Sequence, residues 1–338
     1  EITCRDWSSD VCSSDLSERI RGMLVEMGYL LADEGTNADI VIFNTCAVRD
    51  NAEQRVYGNI GALKAEKEKN PDMLIGVCGC MTQQQHVSQH IKKRFPFVDF
   101  VVGTNALHRL PQIVYSSTMQ RVFDIGEWEG EIVENLPHQR QSIIASTVSI
   151  MYGCNNFCSY CVVPYVRGRE RSRQPQDIIR EIEGLVAQGC REVTLLGQNV
   201  NSYSVMDFSQ LLRLVSKVDG IERIRFISSH PKDITDSLIC EMAENPKICK
   251  QLHLPFQAGS NKVLSDMNRC YTREEYLDII KRLKTKMPDI ALTSDVIVGY
   301  PTETNEDFEQ TLDLAKQVEF DMLFTFIYSK RKDRKSVV

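Results

Sequence analysis

Short apolar runs alternate with amphipathic stretches between residues 38 and 115. The runs ADIVIFNT, DMLIGVCG and FVDFVVGT have the length and composition of buried strands. Between the first two runs, NAEQRVYGNIGALKAEKEK places its apolar residues at helical spacing. Strands that alternate with helices predict a small parallel α/β domain of the Rossmann-like type. Such sheets bind ligands at the carboxyl ends of their strands, where Cys46 and Cys80 follow the first and second runs.

A second and more regular series of strand and helix patterns begins at residue 146. The predicted strands cover residues 146–151, 192–196, 223–228, 251–254, 291–299 and 323–327. The predicted helices cover residues 177–188, 207–218, 236–244, 272–286 and 305–318. These repeats are too few for a complete (β/α) barrel, so the pattern predicts an incomplete (β/α)6-type barrel with its site on the loops that follow the strands.

The polar segment 126–142, GEWEGEIVENLPHQRQS, shows neither strand nor helix periodicity. A segment of this kind between two periodic regions is typical of an interdomain linker. The sequence therefore predicts an N-terminal domain over residues 1–125 and a barrel over residues 143–338. Residues 1–16 are atypical, because they lack the apolar run that a first strand needs.

The composition is that of a globular protein. The apolar fraction of 42% and the charged fraction of 25% are ordinary for a chain that buries a core. With a net charge of −6, nucleic acid would have to be bound by local basic patches and not by the overall field. No apolar run is long enough to span a membrane and no secretory segment opens the chain. We therefore expect a cytoplasmic protein with no membrane partner.

Three clustered cysteines are the strongest chemical signal. Cys154, Cys158 and Cys161 form a C-x₃-C-x₂-C pattern just after the first barrel strand. Three thiolates supply all but one ligand of a tetrahedral metal or of a four-iron cluster, and in the cluster one iron stays open for a small molecule. No histidine lies between residues 153 and 173, so a zinc site would need a distant ligand. That zinc site and three unrelated buried thiols remain the alternatives.

The cysteine spacing, with Tyr160 before the third cysteine, resembles the radical S-adenosylmethionine (SAM) superfamily. The segments TLLGQNVNSY and DVIVGYPTET, at the ends of later strands, resemble SAM-contacting motifs of that superfamily. The resemblance implies a 4Fe-4S cluster whose open iron chelates SAM and delivers the electron that cleaves it. It also implies cofactor contacts from Tyr160, Gln198, Asn199, Ile297 and Gly299.

Further motifs narrow the resemblance to the methylthiotransferase family. They are NTCAVRDNAE, GCMTQ, SSHPKD and HLPFQAGSNKVLSDMNRCYTREEY, and the similarity extends over residues 17–329. VVPYVRGRERSR and LLGQNVNSY look most like the tRNA-modifying MiaB branch. The resemblance implies radical methylthiolation of C2 of N6-isopentenyladenosine next to the anticodon. It implies a tRNA anticodon stem-loop as partner, an electron donor such as flavodoxin or ferredoxin, and a monomer.

Three other functions remain open at this stage. The first is methylthiolation of another tRNA adenosine, and the second is the same chemistry on a ribosomal protein side chain. The third is an inactive fragment that binds RNA or SAM without turnover.

The resemblance also implies a second, sulfur-donating 4Fe-4S cluster in the N-terminal domain. Cys46 and Cys80 match two of its three cysteine ligands. The third would fall at Asp10, two residues before Cys12. Either Cys12 serves as the ligand by a local shift, or a complete second cluster does not form, and we expect the latter. Cys78, Cys190, Cys240, Cys249 and Cys270 match no ligand position and are interpreted as ordinary thiols.

The arginines that follow the cysteines have two interpretations. Arg167, Arg169, Arg171 and Arg173 alternate with other residues, so an extended segment would point all of them to one face. Such a face could contact the phosphates of RNA. The alternative is a solvated loop in which one or two arginines pair with acidic neighbours such as Glu170.

Two further expectations concern the barrel. His253 and Gln257 follow the fourth strand and face either the barrel cavity or the core. The family continues beyond the barrel into an RNA-binding TRAM domain, whereas these residues end in KRKDRKSVV. We therefore expect a truncated barrel with reduced affinity for tRNA.

Overall fold

The computed structural model describes residues 2–6, 11–32, 38–45, 50–126, 132–140 and 142–330, with the backbone alone at 2–6, 11–13 and 50–52. The chain forms two compact units. The first comprises Glu1–Gln141 with Tyr165–Gly168, and the second comprises Ser142–Pro164 with Arg169–Val338. No helix in the described ranges is both long enough and apolar enough to cross a bilayer.

The first unit is built on a five-stranded parallel sheet with the strand order β1-β2-β3-β4-β5. The strands are β1 Ile2–Asp6, β2 Ile40–Thr45, β3 Leu74–Gly79, β4 Phe100–Val102 and β5 Val122–Asp124. The helices are α1 Val11–Glu26, α2 Asp50–Ala62, α3 Lys64–Lys69, α4 Gln85–Arg94 and α5 Leu110–Ser117, with a 3-10 turn at Thr104–Arg109. Every residue of β2 and β3 is buried, as expected for parallel strands covered on both faces.

Both faces of this sheet carry helices. Ile40 and Ile42 of β2 belong to one core cluster, together with residues of α1 and α5. Val41 and Phe43 belong to the other, together with residues of α2 and α4. The two-residue repeat of a strand thus assigns alternate side chains to separate cores.

The first strand corrects one expectation. Residues 1–16 have no apolar run, yet β1 pairs in parallel with β2 from Ile2↔Ile40 to Asp6↔Asn44. β1 lies at the edge of the sheet, where backbone hydrogen bonds to one neighbour suffice and the side-chain pattern is weakly constrained. Periodicity therefore missed it.

The second unit contains the predicted alternation of strands and helices. Its strands are β6 Ala145–Ser149, β7 Met151–Tyr152, β8 Arg171–Ser172, β9 Glu192–Leu196, β10 Arg223–Phe226, β11 Gln251–His253, β12 Ala291–Val298 and β13 Met322–Ile327. Its helices are α6 Val163–Arg167, which ends in the first unit, α7 Pro175–Ala187, α8 Phe208–Ser216, α9 Asp236–Glu244, α10 Asn261–Asp266, α11 Arg273–Lys286 and α12 Asn305–Val318. Short 3-10 turns cover Val200–Ser202 and Pro231–Asp233.

The barrel strands form two parallel three-stranded sheets, β10-β9-β6 and β11-β12-β13. A parallel bridge from Ile224 to Ile248 reaches from β10 towards the chain just before β11. β12 alternates buried Leu292, Ser294 and Val296 with half-buried residues on its other face. The fold class expected from the sequence, a parallel α/β domain followed by an incomplete barrel, is confirmed.

The described part of the polar segment, residues 132–140, packs on α1. The Gln139 amide donates to the carbonyl of Glu18 (2.9 Å), and Arg140 pairs with the Glu18 carboxylate (3.1 Å). A Cβ added to Gly22 would lie 2.5 Å from the carbonyl carbon of Pro137, so only glycine permits this approach. This part of the segment is fixed to the first unit and is not a free connection.

Candidate functional site

The three clustered cysteines lie on a loop after β7, here called the cysteine loop (residues 153–162). The side chains of Cys154 and Cys158 are buried and that of Cys161 is half-buried. The Cys161 amide donates to the Cys158 carbonyl (2.9 Å), which closes a turn between these two ligands. The Val163 amide donates to Cys161 Sγ (3.4 Å). The local backbone thus supplies a hydrogen bond to one sulfur.

A segment distant in sequence, residues 266–269, fastens the cysteine loop. The Ser159 amide donates to the Met267 carbonyl (3.0 Å). Asn268 Nδ2 donates to the carbonyls of Asn156 (3.1 Å) and Phe157 (3.0 Å). Asn268 has φ +57°, a left-handed conformation that asparagine tolerates better than most residues. The short segment therefore acts as a brace for the loop that presents the thiols.

Arg269 is the last residue of this brace and reaches a candidate ligand directly. Its Nη1 atom lies 3.4 Å from Cys158 Sγ and 3.3 Å from the Tyr160 hydroxyl. Its Nε atom donates to the Tyr271 hydroxyl (3.0 Å) and its Nη2 atom to the Pro255 carbonyl (3.0 Å). Sequence reasoning assigned no role to Arg269, although it lies within the MNRCYT part of a quoted motif. Its contact with Cys158 joins residues 111 positions apart, which no local pattern reveals.

The donor set of the cysteine loop fits an iron–sulfur cluster. Burial raises the pKa of Cys154 to about 11, so as a free thiol it keeps its proton and must release it when it binds a metal. N–H groups already point at the sulfurs of Cys158 and Cys161 and would stabilise their thiolates. In the described ranges no three His, Cys, Asp or Glu side chains converge on one metal ion. A site for a single ion would need such convergence, whereas each thiolate of a cluster binds a different iron.

Two of the residues expected to contact SAM, Gln198 and Asn199, directly follow the carboxyl end of β9. Gln198 Oε1 accepts from the Gly153 amide (2.6 Å), so the end of β9 is tied to the cysteine loop. Asn199 is 1% exposed and its Nδ2 donates to Asp233 (2.8 Å). Its Oδ1 atom finds no partner among the described residues. A buried acceptor left open in this way suits a ligand that donates, such as an ammonium group.

The other expected cofactor residues are more exposed. Gly299 follows β12 with φ +72°, and a Cβ at this position would meet no atom within 4 Å. Ile297 is half-buried, and its amide donates to the Gln257 carbonyl (2.9 Å). Tyr160 packs on the barrel core and accepts from Arg269. The space beside Gly299 and the apolar Ile297 suit a flat ring, as the adenine of SAM requires.

In the first unit, the ends of two neighbouring strands position the candidate second set of cysteines. Thr45 of β2 pairs with Gly79 of β3, and Cys80 follows directly. Gly79 has φ +104°, and a Cβ there would lie 2.3 Å from the Thr45 carbonyl oxygen. The Thr45 hydroxyl donates to the Cys78 carbonyl (2.9 Å), which locks the two ends together. Cys80 is half-buried at this edge.

The remaining members of that set are not described in full. Cys46 follows Thr45 in the sequence and lies outside the described residues. Cys12 belongs to the first turn of α1, where the structure describes only the backbone. Asp10, where the family places a ligand, is also outside the described ranges.

The prediction that the four arginines share one face is wrong. Arg167 ends the helix α6, and only Arg171 lies in a strand, so the segment is not uniformly extended. Arg167 Nε lies 3.0 Å from Cys80 Sγ. Arg173 is 4% exposed and its Nη1 donates to Glu181 (2.7 Å) and to the Ser149 carbonyl (2.7 Å). Arg173 therefore cannot present its guanidinium to RNA.

The other two members of the series differ in exposure. Arg169 is exposed, with its guanidinium 4.5 Å from the centre of the Phe157 ring. Arg171 is half-buried, and this burial lowers its pKa below the ordinary value. Glu170 accepts from the Asn155 amide (3.1 Å) and so closes the cysteine loop.

His253 and Gln257, which were expected to face either cavity or core, differ from each other. His253 is half-buried, with its Nδ1 atom 2.9 Å from the Thr293 hydroxyl and its Nε2 atom 3.4 Å from Asp295. Gln257 is 7% exposed, has φ +66°, and leaves its Oε1 atom without a partner among the described residues.

Known protein families match both units. The family described as "Radical SAM superfamily" matches residues 148–315, and the one described as "Uncharacterized protein family UPF0004" matches residues 12–103. Among solved structures, the radical SAM methyltransferase TsrM from Kitasatospora setae aligns with a TM-score of 0.70 at 13% identity, over 96% of this chain and 72% of its own. The cobalamin-dependent radical SAM enzyme OxsB aligns with a TM-score of 0.65, also at 13% identity, over 96% of this chain and 53% of its own. At such low identity these likenesses concern the fold alone.

Sequence relatives are much closer. A protein of Caldicellulosiruptor saccharolyticus named tRNA-2-methylthio-N(6)-dimethylallyladenosine synthase is 54% identical over 95% of this chain and 69% of its own length. Proteins of the same name from Clostridium botulinum and Clostridium novyi are 50% and 52% identical, over 98% and 96% of this chain and 75% and 74% of their own lengths. This chain is therefore an enzyme of the radical SAM superfamily and belongs to the tRNA-2-methylthio-N(6)-dimethylallyladenosine synthase (MiaB) family.

Proposed function

We propose that this enzyme methylthiolates C2 of N6-isopentenyladenosine next to the anticodon in tRNA, with one SAM-cleaving cluster and one sulfur-donating cluster. The observation that carries the proposal is the braced cysteine loop, tied through Gly153 to the strand end that bears the open acceptor of Asn199. The shared family supports the substrate, since the relatives are named for this modification of tRNA.

The residues of the cysteine loop would hold the first cluster. Cys154, Cys158 and Cys161 would each bind one iron, and one iron would stay open for SAM. When bound, the cluster would supply the electron for reductive cleavage of SAM and hence the radical chemistry at the substrate base. The role of the chain would be to bind and orient: Asn199 would accept from the SAM ammonium group, and Ile297 and Gly299 would receive its adenine.

The second cluster would lie at the ends of β2 and β3. The register Thr45↔Gly79 supports Cys46 and Cys80 as neighbouring ligands, since each directly follows one of these paired residues. Cys12 is the candidate for the third ligand. Arg167 beside Cys80 would stabilise the thiolate form of this ligand.

The proposal also assigns a role to each domain and names the partners of the enzyme. The domain of residues 1–125 holds the sulfur-donating cluster, and residues 143–338 form the barrel that cleaves SAM. The substrate is the anticodon stem-loop, whose target base is splayed out of the loop as is usual in RNA recognition. A flavodoxin or ferredoxin supplies electrons, and the enzyme acts as a monomer in the cytoplasm.

Iron and acid-labile sulfide per chain, measured after anaerobic reconstitution, test the cofactors. We expect about eight irons if Cys12 completes the second site, and about four if only the cysteine loop assembles a cluster. Zinc bound without iron would overturn the proposal and favour the zinc alternative.

A modification assay tests the substrate. The reconstituted enzyme, SAM and a strong reductant are incubated with an anticodon stem-loop that carries N6-isopentenyladenosine, and the nucleosides are analysed by mass spectrometry. We expect the 2-methylthio product from this RNA and none from the same RNA with plain adenosine. Product on a ribosomal protein instead of RNA would replace the proposed substrate.

A further inference from the structure

Arg269 is a buried cation whose contacts among the described residues include no carboxylate. The residue is 9% exposed, and its contacts are the hydroxyls of Tyr160 and Tyr271, the Pro255 carbonyl and the Cys158 sulfur. In the part of the chain that the structure describes, no carboxylate lies within ion-pair distance of its guanidinium. Arg173, which is equally buried, pairs with Glu181 at 2.7 Å. An unpaired buried charge costs several kcal/mol, so the site requires a counter-charge.

Among the groups that touch Arg269, the Cys158 sulfur is the one that becomes anionic when it binds a metal. Phenols keep their protons near neutral pH, and a carbonyl carries no net charge. A thiolate ligand is deprotonated outright, and a cluster adds further negative charge. The guanidinium charge is therefore matched only in the state in which the cysteine loop holds its cluster.

The brace fixes the direction of this contact. Asn268 and Met267, which precede Arg269, are bound to the backbone of the cysteine loop on one side. On the other side, Arg269 Nη2 and Nε are held by Pro255 and Tyr271. With these N–H groups occupied, Nη1 stays directed at Cys158.

We propose that Arg269 is a positioning residue for the cluster, which donates an N–H···S hydrogen bond to Cys158 and makes the cluster easier to reduce. The inference rests on the proposed function, because it requires a cluster on the cysteine loop. Reduction adds one electron from the donor to the cluster and changes no covalent bond in the chain. A fixed positive charge next to a ligand sulfur stabilises the more negative, reduced state.

The test is a redox titration of the reconstituted chain, followed by electron paramagnetic resonance. A Cys80→Ala background confines the signal to the cluster of the cysteine loop. At the potential that half-reduces the parent, we expect Arg269→Gln to lower the ratio of reduced to oxidised cluster about tenfold, equivalent to about 59 mV for a one-electron couple. Arg269→Lys keeps the positive charge but loses the planar guanidinium group, so its reduction potential should lie between those of the parent and Arg269→Gln.

Arg273→Gln is the matched control. Arg273 lies four residues further on, contacts the Gly259 and Gln310 carbonyls and pairs with Asp313, but touches no thiol. Its removal should leave the potential unchanged. If Arg269→Gln held a full complement of cluster and that cluster had the same reduction potential as in the parent, the inference would be overturned.

If Arg269→Gln takes up no cluster, urea unfolding of the metal-free chain distinguishes a structural role of Arg269 from a role at the cluster. Because the Arg269 guanidinium contacts no carboxylate among the described residues whereas Arg273 pairs with Asp313, metal-free Arg269→Gln should be at least as stable as metal-free Arg273→Gln. A metal-free Arg269→Gln that is unfolded or much less stable would show a merely structural role and overturn the inference. A parent chain that binds no iron would instead contradict the proposed function.

Discussion

At the residue scale, His230 shows how burial and charge fix a protonation state. Its side chain is 6% exposed and its Nδ1 atom accepts from the Lys232 amide (3.2 Å). Burial lowers the pKa of His230 to about 2, with help from the positive charges of Arg269 and Lys232. The imidazole is therefore neutral in the folded enzyme at every pH at which the enzyme works.

This pKa predicts how stability depends on pH. Below the unfolded pKa of about 6.5 the unfolded chain binds a proton that the folded chain does not, so His230 costs about 1.4 kcal/mol per pH unit as the pH falls from about 6.5 towards 2. Between pH 6 and 4, His230→Gln should reduce the slope of the free energy of unfolding against pH by the contribution of one proton. Urea unfolding at a series of pH values measures this slope. An unchanged slope in His230→Gln would contradict the assignment.

Arg169 carries a prediction about RNA. Its exposed guanidinium lies over Phe157, beside the cysteine loop, where it can reach a phosphate. Arg169→Ala should weaken binding of the anticodon stem-loop and reduce the slope of log K against log salt by about 1. Arg180→Ala is the control, because Arg180 is exposed on α7 and pairs with Asp177. Equal effects of the two substitutions would remove Arg169 from the interface.

At the scale of elements, the sequence predicts the long periodic segments best. The helix predicted at 236–244 and the strand predicted at 192–196 agree with α9 and β9 at both ends. Short elements escape, because two residues such as β7 or three such as β5 contain no period to detect. The interpretation that the four arginines share one face depended on an extended chain, because only there do alternate residues point to the same side. The helix α6 extends up to Arg167, so this condition is not met.

The candidate site likewise has features that the sequence predicts and features that it does not. The spacing of Cys154, Cys158 and Cys161 is local and could be recognised in the sequence. The pairing of Arg269 with Cys158 and of Arg167 with Cys80 joins residues 111 and 87 positions apart, and depends on how the elements pack. Hydrogen-bond partners of this kind follow from tertiary structure alone.

Gly79 offers a prediction at the scale of one strand end. A methyl group there would press on the Thr45 carbonyl, and φ +104° disfavours any side chain. Gly79→Ala should lower the free energy of unfolding of the first unit by about 2–4 kcal/mol. Gly58→Ala, in the middle of α2 with no atom near the new methyl, should raise it by about 0.5–1 kcal/mol. Thermal unfolding of the two variants should therefore shift in opposite directions.

At the scale of the whole molecule, each unit has its own core and its own cysteine site. The first unit is stabilised by two clusters of buried residues on the two faces of its sheet, and the second by one large cluster. In the first unit Cys80 follows the carboxyl end of the parallel strand β3, and in the second unit the cysteine loop follows β7, which pairs antiparallel with β8. Loss of a ligand in one unit should therefore leave the core of the other unit intact.

This independence separates the two reactions. Under the proposed function, sulfur delivery requires the first unit while radical formation requires only the second. Cys80→Ala should therefore retain reductive cleavage of SAM, measured as 5′-deoxyadenosine, and lose the 2-methylthio product. Cys158→Ala should lose both products. Cys78→Ala is the matched control, since Cys78 lies two residues before Cys80 with its side chain buried in the core. It should retain both products at the cost of about 1 kcal/mol of stability. Both products are quantified in one reaction by mass spectrometry. If Cys80→Ala still formed the methylthio product, the sulfur would have to come from elsewhere, and the second cluster would have no part in the mechanism.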